Sequence, residues 1–142
     1  MKSAVVLIVL LLAFNVVSLM ACGPTRTILD DTKWVLESYG ERGDLQAVLY
    51  GAEITASFDG TTRQIIGSAG CNTYFSNYET SGNKLSFSDI AVTEMYCEAP
   101  EGVMEQEREY LALLLDTTTF VVENDQLTIS ISDGQVLIFI AK

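Results

Sequence analysis

Between Pro100 and Asp116 the apolar residues Val103, Met104, Tyr110, Leu111, Leu114 and Leu115 recur at helical spacing, whereas on either side the chain alternates with a period of two. One helix set between two runs of strands leaves few architectures open. The order predicts an α+β domain in which a curved antiparallel β-sheet or open barrel wraps around or against one main α-helix, placed between the early and late strands. Pro100 suits the first turn of that helix, and Glu98, Glu101 and Glu105 fall near its positive end.

The strands before the helix are expected at 33–39, 53–58, 64–69, 73–80 and 84–87, with Gly40 to Asp44 as a polar break. Turns are marked by Asp59-Gly60 and by Ser81-Gly82-Asn83. After the helix come 118–123, 126–132 and 135–141, joined at Asn124-Asp125 and Asp133-Gly134. Ile54, Ala56 and Phe58 share one face, as do Leu127, Ile129 and Ile131. Val136 to Ile140 is apolar on both faces, which predicts a strand that is central or covered on both sides.

The N-terminus has a different character. Lys2 supplies a positive start, Ala4 to Phe14 is unbroken apolar sequence, and Ser18 and Ala21 lead to Cys22, which is the layout of an export signal. The apolar run is short for a membrane span, and the alternative is an uncleaved anchor helix over Ala4 to Ala21, interrupted by Asn15 and Ser18. Leu19-Met20-Ala21-Cys22 resembles the bacterial lipobox, with Met20 larger than that pattern prefers. The resemblance implies cleavage before Cys22 by signal peptidase II and diacylglycerol on its thiol, so that acyl chains, palmitate among them, hold the protein to its membrane. Gly23 follows, without the Asp that retains many lipoproteins at the inner membrane. The expected location is therefore the cell envelope, facing outward from the cytoplasm, at the outer membrane if the cell has two. The expected organisation is a signal peptide over 1–21, a lipidated cysteine and polar tether over 22–32, and one domain over 33–142. Ten extended tether residues reach at most roughly 35 Å, so that domain would work close to its membrane.

Charge and composition exclude more than they select. Eight Lys and Arg against nineteen Asp and Glu give −11, and loss of Lys2 with the leader makes it −12. Nucleic acid and bare anionic lipid are poor partners for such a surface, whereas a basic envelope protein suits it. There is no histidine, which rules out Ser-His-Asp and Cys-His pairs and imidazole zinc sites. No nucleophile motif, cofactor motif or metal-ligand spacing stands in their place, so no catalytic, cofactor-binding or metal-binding residue is assigned. The chain is expected not to be an enzyme.

Cys71 and Cys97 lie 26 positions apart in an exported chain and, once Cys22 is lipidated, are the only pair left. A disulfide between them would contribute roughly 3–4 kcal/mol. The alternative is two buried free thiols on neighbouring strands. Gly67-Ser68-Ala69-Gly70 lacks the Gly-Lys-Ser/Thr ending of a phosphate loop and suits a tight turn or bulge, with Asn72 as a turn residue. Glu101, Glu105, Glu107 and Glu109 suit a solvated helix face better than a metal site, and the first, second and fourth form a negative stripe at i,i+4 spacing. Trp34, Tyr74, Phe75 and Tyr78 are expected to pack within the sheet. Tyr74 and Tyr78 share the face on which a functional aromatic patch would sit.

Several segments, in order, resemble the META/HslJ-like domain family. They are Trp34-Val35-Leu36-Glu37-Ser38, Ile54 to Phe58, Gly67-Ser68-Ala69-Gly70-Cys71-Asn72-Thr73-Tyr74, Ile90 to Cys97, Met104-Glu105-Gln106-Glu107, and the Leu127 strand. Glu94 and Tyr96 stand where the family more often has apolar or small residues. The resemblance implies an envelope role in stress tolerance, with no catalytic residues to carry over and no defined substrate. The functional expectation is a membrane-anchored envelope lipoprotein whose domain is a noncatalytic binding or stress-tolerance module. Its rival is an inhibitor of a basic cell-wall hydrolase.

Overall fold

The computed structural model describes residues 28–142; the leader, Cys22 and the first part of the tether lie outside the described residues. Nine strands and one helix follow in order: β1 (Lys33–Glu41), β2 (Asp44–Ala47), β3 (Thr55–Asp59), β4 (Gln64–Ser68), β5 (Thr73–Ser81), β6 (Lys84–Val92), α1 (Val103–Leu115), β7 (Thr117–Glu123), β8 (Gln126–Ile131) and β9 (Gln135–Ala141). Eight of the strands run β1-β3-β4-β5-β6-β7-β8-β9, every pair antiparallel, and β9 pairs back onto β1. The sheet is a closed barrel, which removes the free edges that an open sheet would leave.

β2 shares an edge of β1 with β3. Lys33–Val35 pairs with β3, and Ser38–Glu41 pairs with β2 across the tight turn at Arg42-Gly43. The polar break expected over 40–44 is thus the end of one strand and the start of another. Their hairpin register escapes a hydrophobic pattern because all four residues of β2 are exposed. β6 continues past Phe87 to Val92, although polar Ser88 and Asp89 interrupt its alternation. The cause is a register shift opposite Phe75–Asn77, with Asp89 in the left-handed region at φ 54°. The helix starts at Val103 rather than at Pro100, because Gly102 takes φ 86°, outside helical geometry. β9 is central, paired on both edges. Leu137 and Phe139 face the core, while Ile138 and Ile140 are half-buried outside.

An eight-stranded barrel has an interior just wide enough for side chains to fill. Trp34, Tyr74, Tyr78, Tyr110 and Phe139 are the largest of the fully buried side chains, joined by Ile65, Leu85, Leu127 and Ile129. α1 covers one end of the barrel. Its Tyr110 enters the core and meets the rings of Tyr74 and Phe139 at centroid distances of 5.6 and 6.5 Å. The opposite end is covered by the segment before β1. Leu29 there is fully buried, the Trp34 indole N–H donates to its carbonyl at 3.2 Å, and Asp30 forms a bridge to Phe58 while accepting from the Tyr78 hydroxyl at 2.9 Å. The low apolar content of the tether over 22–32 conceals this docking, in which Leu29 supplies the buried side chain and Asp30 the polar contacts.

One seam is weak. β6 and β7 share a single ladder pair, Lys84 with Thr119, supplemented by the Phe120 N–H to the Asn83 carbonyl at 2.8 Å.

Candidate functional site

The helix-capped end gathers the largest buried polar side chains, Asn72, Gln106 and Glu107. Gln106 and Glu107 are consecutive on α1, and both are buried, at 5% exposure each. They lie on the same stripe as Val103, Tyr110 and Leu114, where i, i+3, i+4, i+7 spacing turns them inward. Each holds a different loop. The Gln106 carbonyl oxygen accepts from the Leu49 N–H at 3.3 Å, and its amide donates to the Tyr39 hydroxyl at 3.4 Å. Glu107 accepts three hydrogen bonds, from the N–H groups of Cys71 at 3.2 Å and Asn72 at 2.7 Å and from the Asn72 side-chain amide at 2.7 Å.

Asn72 is saturated. Its amide nitrogen also donates to the Met95 carbonyl at 3.0 Å, and its side-chain oxygen accepts from the Thr93 hydroxyl at 2.9 Å and the Met95 N–H at 2.7 Å. With two donors and two acceptor sites all engaged, the residue acts as a clamp between the β4–β5 turn and the segment leaving β6. Cys71 and Cys97 form a disulfide across the same two segments, with Cα atoms 5.9 Å apart. The disulfide and the amide clamp, itself held by the buried Glu107 carboxylate, therefore fix one stretch, 93–97. Its outward residues are Met95 and Tyr96, 56% and 80% exposed, with Glu94, Glu98 and Glu101 beside them in sequence. On the other side of the helix start, the loop held by Gln106 carries Tyr50, wholly exposed.

The remaining expected site residues fall as follows. Cys22 lies outside the described residues. Asn72 does bond backbone through its amide, but to a segment more than twenty residues away rather than within its own turn. Glu107 is not part of a solvated face. Glu101, Glu105 and Glu109 are exposed, and the stripe they form is broken by Arg108, which pairs with Glu105 at 2.9 Å. Glu109 accepts from the Tyr39 hydroxyl at 3.2 Å. Burial raises the Tyr39 pKa, and the Glu109 charge raises it further.

The face chosen for a functional aromatic patch is core: Tyr74 and Tyr78 are 0% and 1% exposed. The Tyr74 hydroxyl donates to the Thr55 carbonyl at 2.9 Å and lies 2.7 Å from the Tyr110 hydroxyl. Gly67 makes room for that bond. A Cβ on Gly67 would overlap the Thr55 carbonyl and stand 2.9 Å from the Tyr74 ring. Burial pushes Tyr74 and Tyr110 well above the ordinary tyrosine range, and burial together with Asp30 pushes Tyr78 up to about 12. Among the described residues no three His, Cys, Asp or Glu side chains gather as metal ligands, and no helix is long and apolar enough to cross a membrane.

The sequence pattern of the META domain matches residues 27–142, which takes in the barrel, the helix and the docked N-terminal segment together. The chain belongs to the META domain family. Among solved structures, this META domain is similar to a protein from Burkholderia xenovorans determined by NMR, at 31% identity and TM-score 0.67 over 80% of this chain and 83% of that one. A second NMR structure is similar at 25% identity and TM-score 0.60, over 79% and 90% of the two chains. A crystal structure of a DUF4847 family protein from Bacteroides vulgatus shares the fold at 11% identity and TM-score 0.57, over 80% and 94%. No curated protein matches the chain.

Proposed function

We infer that this META-domain protein is a lipid-anchored envelope protein whose barrel is a noncatalytic binding module for a basic protein, serving stress tolerance at the envelope. The observation that carries the reading is that the barrel interior is filled and both ends are covered, so contact with another molecule uses the outer surface. The segment continuous with Cys22 docks at one end, and the pinned 93–97 stretch with its exposed Met95 and Tyr96, flanked by glutamates, stands at the other. An anchored domain would then offer that acidic end away from the membrane. Noncatalytic action fits a polar cluster whose hydrogen bonds are spent on one another.

A disulfide-pinned, exposed and acidic loop also favours the second reading, inhibition of a basic cell-wall hydrolase. Both make the same surface responsible. Replacing Glu94 and Glu98 by Lys should weaken binding of a basic muramidase to the purified protein and reduce any inhibition, with a smaller effect at high salt. Binding that ignores both the charge reversal and salt would remove the electrostatic basis. Anchoring is tested separately: Cys22→Ser should leave an uncleaved precursor without acyl label, and a wild-type protein of precursor mass that takes up no labelled fatty acid would refute it.

A further inference from the structure

Closure of the barrel leaves one strand out. Among the described residues β2 is the strand paired on a single edge, and all four of its residues, Asp44-Leu45-Gln46-Ala47, are exposed. The Val48 N–H donates to the Glu37 carbonyl at 3.1 Å, which makes that pair hydrogen-bonded. Such pairs alternate along an antiparallel ladder, so Tyr39–Gln46 is hydrogen-bonded too, whereas the N–H and C=O groups of Leu45 and Ala47 point away from β1. No described residue bonds these outward groups, and β2 carries neither the Lys nor the Pro that commonly guards a sheet edge.

The edge lies beside a small acidic hollow. Gln46 stands opposite Tyr39 and so shares its face, the one turned toward α1, where the Tyr39 hydroxyl meets Glu109. Between β2 and the helix is a space of about 220 Å³ whose lining includes Tyr39, Gln46, Gly102, Glu105 and Glu109. Glu105 and Glu109 are one turn apart on its helical wall. With Glu41 and Asp44 of the hairpin, four carboxylates stand against two guanidinium groups: Arg42, which donates to the Ser130 hydroxyl at 3.3 Å, and Arg108, paired with Glu105. On a strand added to the free edge, the residue opposite Gln46 shares the Gln46 face and is aimed at this hollow. A second copy pairing β2 to β2 would bring like charges together, whereas Lys or Arg at that position meets opposite charge.

We propose that the free edge of β2 takes an extended basic segment of the partner protein as an added strand, with a Lys or Arg side chain opposite Gln46 entering the hollow between β2 and α1. Backbone bonds to Leu45 and Ala47 supply affinity, and the hollow supplies selectivity. This rests on the reading of a basic protein partner and adds a contact separate from the 93–97 loop. The probe is acetyl-Thr-Val-Lys-Val-Thr amide, titrated into the 15N-labelled full chain in detergent. The comparisons are the same peptide with Glu in place of Lys, and one N-methylated at both Val residues, whose N–H groups would face β2. The expected result is saturable shifts at residues 44–47, 105 and 109, with slowed amide exchange at Leu45 and Ala47 and little change at Gln46, whose N–H is already bonded to β1. Both comparison peptides should bind at least about tenfold more weakly. Ala47→Pro, which removes an edge-facing donor but no bond to β1, should abolish binding, and Glu105→Gln with Glu109→Gln should erase the preference for Lys over Glu while the hairpin signals stay in place. The peptide is titrated apart from any muramidase, so the edge can fail while charge-dependent capture through Glu94 and Glu98 stands, and the reverse. Equal binding of either comparison peptide, no protection at Leu45 and Ala47, or a β2-to-β2 dimer that excludes the peptide would overturn the proposal.

Discussion

Glu107 offers the sharpest test of how the helix-capped end is held. Its carboxylate is nearly fully buried and is the shared acceptor for two backbone N–H groups and the Asn72 amide. Glu107→Ala leaves three donors without an acceptor in a region that water reaches poorly. Each orphaned donor costs about 1–3 kcal/mol, and the costs overlap because all three belong to one turn, so about 3–5 kcal/mol of stability should be lost. Glu107→Gln is informative because it keeps the shape. One oxygen remains for the Cys71 and Asn72 N–H groups, but the new NH2 meets the Asn72 amide donor to donor, for a cost of about 1.5–3 kcal/mol. Urea unfolding of the domain beginning after Cys22, with the disulfide intact, measures both variants. At about 4 °C per kcal/mol, Glu107→Ala should also lower Tm by about 12–20 °C. If Glu107→Gln unfolds within about 0.5 kcal/mol of wild type, the carboxylate is not what satisfies this turn, and the clamp argument fails.

Gly67→Ala should destabilise by more than about 2 kcal/mol, because its methyl meets backbone rather than a yielding side chain; an unchanged Tm would contradict the close approach of β4 to Thr55. Stability should hold up to about pH 10 and then fall as pH rises toward 12, since Tyr78, Tyr74 and Tyr110 all have raised folded-state pKa values and the unfolded chain releases those protons first. Tyrosinate absorbance should therefore appear for these residues together with unfolding, and reversible ionisation of all six tyrosines in folded protein near pH 10 would refute it. Reducing the Cys71–Cys97 bond should cost roughly 3–4 kcal/mol, read as a lower urea midpoint, and two free thiols in protein isolated from the envelope would refute the bond.

The sequence alone determined the order of the helix and of every strand except β2, whose four exposed residues carry no hydrophobic pattern. Ile54-Ala56-Phe58 and Leu127-Ile129-Ile131 announce their inward faces because strand periodicity is a property of neighbouring residues, and the helix announces itself in the same way. The cysteine pair was legible because few partners were available to each thiol. Gln106 and Glu107 carried a local signal too, since they continue the stripe of Val103, Tyr110 and Leu114, but their polarity argued the other way. Only the fold decides that contest, by delivering the Leu49, Cys71 and Asn72 N–H groups that make burial of two polar side chains tolerable. Likewise, closure of the sheet comes from β9 meeting β1, strands separated by nearly the whole domain, and it turns Tyr74 and Tyr78 into core. The thin β6–β7 seam, a single ladder pair, likewise belongs to the tertiary closure. Partners brought together from distant positions, rather than any residue's own chemistry, settle which polar groups can be buried.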